Sequence, residues 1–471
     1  MLAGAAFISC CGITSGWLSA IGDARAQTVA QPVTRQEVAQ EEIAGPQTQT
    51  KTPLYSLPPQ STMREVRWSE ITGRDNSDIP AFFRDSLVQV VARTYYLTRD
   101  NLDGSRSRAW TGGGWIAYRS GLIADHFGVH GALYTSQPLF ADPNEGGTRL
   151  LNPQQEQLSM LGQAYGFAQF GDQELRGGRT LIDTPLINPQ DNRMVPNTFE
   201  SVMATTLPSK NREYDYSVGY IWTIKQRDSN DFIPLSDAAA GADVINRGAP
   251  YGMVKYRPSA IPGLSTIAMD YYLQDFVNTG FAQAEYTFQL PKDMPQWLIG
   301  ANVIDQRSVD DALLGTFATY QASGRVQMQY VGFTAFIAGS ATGDQSKIFS
   351  PFGTKPNYTD MQQVSFDNAR EKAVGASLAY DLGYAFGKYG LSGLTFGAWY
   401  SHGWDAINPV TNAAIANRDE LDLWAQYRPS DGPLKGLRVK VQYSDLWQQG
   451  NVRSPQPEFR FIVDYTVLFR N

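Results

Sequence analysis

The last stretch of the chain, EFRFIVDYTVLFRN (Glu458–Asn471), carries the pattern that decides the fold. Every second residue from Phe459 to Phe469 is apolar, whereas the residues between them are largely polar: Glu458, Arg460, Ile462, Asp464, Thr466 and Leu468. A period of two predicts a β-strand with one apolar and one polar face. The stretch by itself leaves open whether the apolar face meets a protein core or a membrane.

From Asp85 onward the same period recurs in about eighteen segments, separated by clusters of Gly, Pro, Asn and Asp. The segments begin near residues 87, 109, 127, 157, 173, 198, 214, 249, 264, 279, 296, 313, 325, 372, 392, 419, 436 and 458. Short gaps that predict tight turns, such as Arg257–Gly263, Leu290–Pro295 and Ala322–Gly324, alternate with longer ones such as 228–248 and 339–371. Short turns at one end and long loops at the other are typical of bacterial outer-membrane barrels.

The overall composition, 42% hydrophobic with a mean hydropathy of −0.32, resembles that of a soluble protein. After the first segment, no stretch approaches the roughly 18 uncharged apolar residues that a spanning helix needs. The apolar faces are rich in Tyr, and the polar faces carry too little charge for a fully solvated surface. A water-filled lumen inside an apolar wall accounts for both features.

We therefore predict an all-β fold, a transmembrane antiparallel up-and-down β-barrel of about 18 strands over residues 85–469. In the closing strand, the Phe and Tyr side chains then face lipid, and Arg460 and Asp464 face water. Aromatic residues near segment ends, such as Tyr95, Tyr271 and Trp297, are expected to form girdles at the two membrane interfaces.

The N-terminal region divides into two parts. Residues 1–26 have an uncharged start and a small-residue Ala24-Arg25-Ala26 site, which predict a secretory signal peptide, although a membrane anchor or a lipobox ending at Cys10 stays open. Residues 27–80 are rich in Gln, Thr and Pro and predict a disordered leader, with a short periplasmic interaction segment as the alternative.

Signals for other functions are weak. The net charge of −7 and the lack of a basic run disfavour nucleic-acid binding. His126 and His130 are spaced like metal ligands, but no third ligand lies nearby, so we expect no metal and no cofactor. No G-x-S-x-G motif is present, and Gly112–Gly114 lacks the residues of a phosphate loop.

Several stretches resemble the OprD-type outer-membrane porins. These stretches are WTGGGWIAYRSG (Trp110–Gly121), GRTLIDTPLINPQDNRMVPNTF (Gly178–Phe199), YRPSAIPGL (Tyr256–Leu264), YTDMQQVSFDNAREKAVGASLAYDLG (Tyr358–Gly383), YGLSGLTFGAWYSHG (Tyr389–Gly403) and FRFIVDYTVLF (Phe459–Phe469). They occur in the order of the family and span Leu87 to Phe469. One departure is that Arg470 and Asn471 follow Phe469, whereas the family usually ends on an apolar residue.

The resemblance implies an eighteen-stranded pore in the bacterial outer membrane, a monomer or a loose trimer, that passes small solutes passively into the periplasm. Family members often favour carboxylate-bearing solutes such as amino acids. They narrow the lumen with inward-folded extracellular loops, here the third (roughly Ile182–Asn197) and the seventh (roughly Gly339–Glu371), and guide solutes along basic residues of the wall.

Side chains alternate between the two faces of each predicted strand, and this alternation places seven basic residues on the face that lines the water-filled lumen: Arg93, Arg119, Lys225, Arg325, Arg438, Lys440 and Arg460. Such groups can pass a carboxylate along through weak bidentate contacts. Acidic residues share this face (Asp215, Glu285, Asp381, Asp422 and Asp464), so the basic residues can equally pair with them and only stabilise the wall.

In the third loop, Asp191, Asn192 and Arg193 lie between two prolines, which restrict the backbone. With the family motif this predicts a constriction, and a plain surface loop is the alternative. The function predicted from the sequence is thus a substrate-selective outer-membrane porin. A barrel-embedded hydrolase and an adhesive or structural barrel with a closed lumen are the alternatives.

Overall fold

The computed structural model describes residues 63–73, 78–207, 209, 212–241, 245–389 and 391–470. The predicted signal peptide, and the predicted leader up to residue 62 and over 74–77, lie outside the described residues.

Strands dominate the described part of the chain. They are β1 (Arg64–Arg67), β2 (Leu87–Asp100), β3 (Arg106–Arg119), β4 (Phe127–Ala141), β5 (Leu158–Phe170), β6 (Gln173–Thr180), β7 (Thr198–Thr206), β8 (Tyr214–Lys225), β9 (Phe232–Pro234), β10 (Ala249–Tyr256), β11 (Leu264–Leu273), β12 (Val277–Thr287), β13 (Gln296–Ser308), β14 (Ala318–Tyr330), β15 (Phe333–Thr342), β16 (Lys372–Asp381), β17 (Leu394–Trp404), β18 (Arg418–Tyr427), β19 (Leu437–Gln448) and β20 (Gln456–Arg470).

The helices are short. They are α1 (Trp68–Thr72), α2 (Ala81–Arg84), α3 (Leu235–Ala240) and α4 (Leu382–Phe386), with 3₁₀ turns at Pro143–Glu145 and Gly387–Tyr389. No helix among the described residues is long and apolar enough to cross a bilayer.

Eighteen antiparallel strands, β2–β8 and β10–β20, form a closed barrel. Closure joins the first and last of them, from Val88 opposite Phe469 to Arg99 opposite Glu458. Because every strand of the barrel has two neighbours, the sheet has no free edge in the membrane. The predicted fold is therefore confirmed.

The two faces of the wall are inverted relative to a soluble protein. In β20, Glu458, Arg460, Ile462, Asp464 and Thr466 are buried inside, and the residues between them lie on the outer face. Large apolar side chains elsewhere on the wall are open to the outside, with Ile337 64% and Leu133 58% exposed. An apolar belt of this extent needs lipid as its solvent.

The two ends of the barrel differ as predicted. Turns at one end include 257–263 and 331–332, and loops at the other end include L3 (181–197), L4 (226–248) and L7 (343–371). L7 begins later than expected because β15 continues to Thr342.

The predicted turn at Ala322–Gly324 is wrong. These small residues lie in the middle of β14, and the chain turns at Val331 and Gly332, whose φ angles are 44° and 85°. Both residues thus adopt the left-handed conformation that a tight turn uses. The predicted segments starting at 313 and 325 begin instead at Ala318 and Phe333.

Strict alternation also fails in β8. Trp222 has no partner in β7, because Ser201 pairs with Ile221 and Glu200 pairs with Thr223. After this bulge, Ile224 is fully buried rather than facing lipid. The girdle prediction is wrong for Tyr95 and Tyr271, which are buried inside the barrel.

Part of the region predicted as a disordered leader is ordered. Strand β1 pairs in parallel with β20, from Arg64 opposite Val467 to Arg67 opposite Arg470. Strand β19 pairs with β20 only as far as Tyr465, and β1 pairs with β20 beyond that residue. Trp68 stacks on Phe469 with ring centroids 5.2 Å apart, so the segment adds contacts at the closing seam.

Candidate functional site

An arginine of the lumen wall binds L3 and anchors it inside the barrel. Arg93 of β2 donates from Nη1 to Asp191 Oδ1 at 2.8 Å and to the carbonyl of Arg193 at 2.5 Å. Its Nε donates to Asp464 Oδ1 at 2.6 Å. The loop therefore projects into the barrel and is tied to two strands next to the closing seam.

The three residues predicted for a constriction have different environments. The Asp191 side chain is 21% exposed, whereas Asn192 and Arg193 are buried. Arg193 Nε donates to the Thr148 carbonyl at 2.9 Å, and Asn192 Oδ1 accepts from Arg227 in L4. Burial and the nearby Arg460 guanidinium lower the pKa of Arg193 to about 10. Asn192 and Arg193 thus connect L3 to other loops, and Asp191 lies closest to the open lumen.

L7 reaches two separate parts of the wall. Tyr358 Oη donates to Glu285 Oε1 of β12 at 3.0 Å, and Gln362 Nε2 donates to Glu458 Oε1 of β20 at 2.8 Å. The two contacting residues are only four positions apart in the loop, although β12 and β20 are far apart around the barrel. L7 consequently crosses the lumen.

L3 and L7 also bind each other. Asn188 of L3 donates from Nδ2 to the Thr354 carbonyl at 2.7 Å and accepts from the Thr354 N–H at 3.0 Å. These two bonds reproduce the pairing of one peptide group with another. The two loops are therefore joined to each other inside the barrel.

Three sites in the lumen each contain two arginines that share one carboxylate. Their members are Arg99, Glu458 and Arg460; Arg93, Asp464 and Arg438; and Arg119, Glu174 and Arg176. In the first site Arg99 Nη1 lies 3.3 Å from Glu458 Oε2, and in the third Arg119 Nη2 lies 2.5 Å from Glu174 Oε2. In the second site Asp191 supplies a further carboxylate to Arg93.

The two-arginine sites lie at different heights along the pore. Glu458 lies near the long-loop end of β20, Asp464 lies midway along that strand, and Glu174 lies at the short-turn end of β6. In the first and third sites, two guanidinium groups on one carboxylate leave a positive excess, whereas Asp191 balances the charge of the second site. The arrangement can attract and release an anion step by step.

Four of the seven predicted basic residues belong to these sites: Arg93, Arg119, Arg438 and Arg460. Arg325 pairs with Glu285 at 2.8 Å and its side chain is 18% exposed. Lys225 is fully buried and donates to the Pro196 carbonyl at 2.7 Å. Lys440 is 1% exposed. The side chains of Lys225 and Lys440 are therefore both covered, and Lys225 binds L3.

Three lumen cations were not singled out from the sequence: Arg99, Arg176 and Lys255. Lys255 follows the buried Tyr251 at even spacing on β10 and is partly buried. The period of two in β10 was a signal that could have found it. Arg99 lies near the end of its strand, where the face on which a side chain lies is hardest to assign from a sequence.

The histidines are held separately. His126 Nδ1 lies 2.9 Å from the Gln169 carbonyl oxygen and its ring stacks on Phe170, while the His130 ring stacks on Tyr165. Within the described ranges, no three His, Cys, Asp or Glu side chains come together in a way that could hold a metal ion.

The chain is similar in sequence to known outer-membrane proteins. The sequence model of the family described as outer membrane porin, OprD family, matches residues 80–469. Porin D of Pseudomonas aeruginosa is 25% identical over 434 residues, which cover 83% of this chain and 93% of the relative.

Solved barrels have the same fold. OpdK of Pseudomonas aeruginosa, crystallised with vanillate, superposes with a TM-score of 0.71 at 21% identity, covering 82% of this chain and 100% of that chain. OccAB2 of Acinetobacter baumannii gives a TM-score of 0.73 at 20% identity, with 83% and 100% covered. A BenF-like porin of Pseudomonas fluorescens gives 0.72 at 18% identity, with 82% and 99% covered.

Proposed function

This chain belongs to the OprD family of outer membrane porins, and we propose that it passes small carboxylate-bearing solutes through a pore narrowed by L3 and L7. As a member, it is a channel of the bacterial outer membrane for small solutes and not an enzyme. The barrel-embedded hydrolase and the closed adhesive barrel are therefore set aside.

The observation that carries the proposed solute class is the series of two-arginine sites at three heights of the lumen. The guanidinium groups of Arg438 and Arg119, whose side chains are 16% and 11% exposed, have planar donors that match a carboxylate, whereas Arg460 is covered. The local carboxylates keep each contact weak enough for release. The wall-pairing and ladder interpretations are thus compatible, because the same arginines pair with the wall and, in the first and third sites, leave a positive excess.

Amino acids and small organic acids fit this solute class. OpdK, a structural neighbour, was crystallised with vanillate, which is a carboxylate, and this supports the class without identifying the solute. Whether the porin works as a monomer or a loose trimer stays a prediction.

The test compares two solutes that differ in one carboxylate. Purified protein in liposomes is supplied with potassium galacturonate or with galactose, and valinomycin balances the charge. We expect galacturonate to enter faster than galactose. In planar bilayers under a potassium chloride gradient, we expect a reversal potential whose sign shows that anions pass more readily than cations. Equal entry of the two sugars, with no anion preference, would refute the proposed solute class.

A further inference from the structure

Two carboxylates on one strand receive the tip of L7, defined here as residues 361–364. Glu420 Oε1 accepts from the N–H of Gln363 at 2.7 Å, and Glu420 Oε2 accepts from the N–H of Val364 at 2.8 Å. Asp422 Oδ2 accepts from the N–H of Gln362 at 3.2 Å. Three successive backbone N–H groups of the loop therefore donate to the side-chain oxygens of two wall residues.

Glu420 depends on the loop for its compensation. It is 0% exposed, and in the described part of the chain neither it nor Asp422 forms an ion pair. A buried carboxylate is costly unless donors satisfy its oxygens. The L7 tip supplies these donors, so the carboxylate and the docked loop stabilise each other.

Side chains of the tip extend the contact to the neighbouring strands. Gln362 Nε2 donates to Glu458 of β20, and Gln363 Nε2 donates to Ser444 Oγ of β19 at 2.8 Å. The tip thus lies on β18, β19 and β20, away from the Tyr358 contact with β12. A change at Glu420 should therefore release the end of L7 that crosses the lumen.

We propose that Glu420 is a positioning residue that holds the L7 tip across the lumen and so determines the width of the passage. The proposal rests on the proposed function in one respect, namely that L7 constricts the pore. Glu420 itself touches no solute. Its effect passes through the backbone N–H groups of residues 363 and 364.

A cysteine directly after the tip, at position 365, reports whether the loop is docked. Ser365 is 1% exposed, so Ser365→Cys should be protected from a bulky membrane-impermeant maleimide. The only other cysteines are Cys10 and Cys11. Adding Glu420→Ala should raise the labelling rate about tenfold or more, because the two hydrogen bonds from the backbone of the tip are lost. Glu420→Gln, which keeps one acceptor oxygen, should give an intermediate rate and serves if the Ala variant fails to fold.

The matched control is Glu200→Ala, because the Glu200 carboxylate is 35% exposed and bonds Thr223 rather than the tip of L7. Single-channel conductance of the same variants is the second readout, and it should rise for Glu420→Ala and stay unchanged for Glu200→Ala. Unchanged labelling in both Glu420 variants overturns the positioning role, even if the barrel melts earlier. Raised labelling with unchanged conductance supports the positioning role but counts against constriction by L7.

Discussion

Replacement of Arg93 by Gln should destabilise the barrel by about 3–5 kcal/mol, the typical cost of removing one partner of a buried ion pair. Arg93 is 7% exposed and contacts Asp464, Asp191 and the Arg193 carbonyl at 2.5 to 2.8 Å. Gln retains only one amide donor group for these three acceptors. The loss should therefore include both the wall contact and the anchoring of L3.

The lower part of that range is expected for two structural reasons. Asp464 keeps its second arginine, because Arg438 Nε donates to it at 2.5 Å. Asp191 loses its cation but is 21% exposed, so water can solvate part of the charge. The matched control is Arg106→Gln, since Arg106 pairs with Asp100 at 2.6 Å with both side chains 51% exposed. This surface pair should contribute about 0–1 kcal/mol.

The assay is equilibrium unfolding by urea in lipid vesicles, followed by tryptophan fluorescence. Trp115 lies 5.0 Å from the Arg93 guanidinium and reports this region. The double variant with Asp191→Asn should recover part of the lost stability, because the uncompensated carboxylate is removed. Equal losses for Arg93→Gln and Arg106→Gln, or strictly additive effects in the double variant, would refute the reasoning.

Three other changes have defined outcomes. Arg438→Gln should weaken the anion preference measured from reversal potentials, whereas Lys440→Gln should not, because the Lys440 side chain is buried. A larger change in anion preference for Lys440→Gln than for Arg438→Gln would contradict this expectation. Asn188→Ala should increase open-channel current noise, since each lost hydrogen bond to Thr354 contributes about 0.5–1.5 kcal/mol to the contact between L3 and L7. Current noise equal to that of the parent protein would argue against coupling of the two loops. Trp68→Ala should lower the free energy of unfolding by about 1 kcal/mol through loss of stacking on Phe469, and unchanged urea unfolding would mean that β1 does not stabilise the closing seam.

Much of the fold could be predicted because strand geometry is local. Side chains alternate along a strand whatever its partners are, so a period of two in β20 already separated the lipid face from the lumen face. The exceptions arise where the backbone departs from this rule. The small residues Ala322–Gly324 have the composition of a turn but continue β14, and the bulge at Trp222 buries Ile224.

The candidate site was only partly predictable. Alternation along the strands correctly placed Arg438, Lys440 and Arg460 inside, but only Arg438 keeps part of its side chain exposed, whereas Lys440 and Arg460 are covered. Burial of an inward side chain depends on which loop folds over it, and no periodicity in the strand encodes that.

The sequence by itself determined that this chain closes into a membrane barrel with a polar interior, because alternation, turn residues and the lack of a long apolar run are local properties. Only the tertiary structure decided which charges meet. Arg93 and Asp464 are 371 residues apart, and they pair because barrel closure brings the first and last strands together. The docking of L7 on Glu420 likewise depends on a loop that crosses the lumen, so its energy comes from groups that share no local pattern.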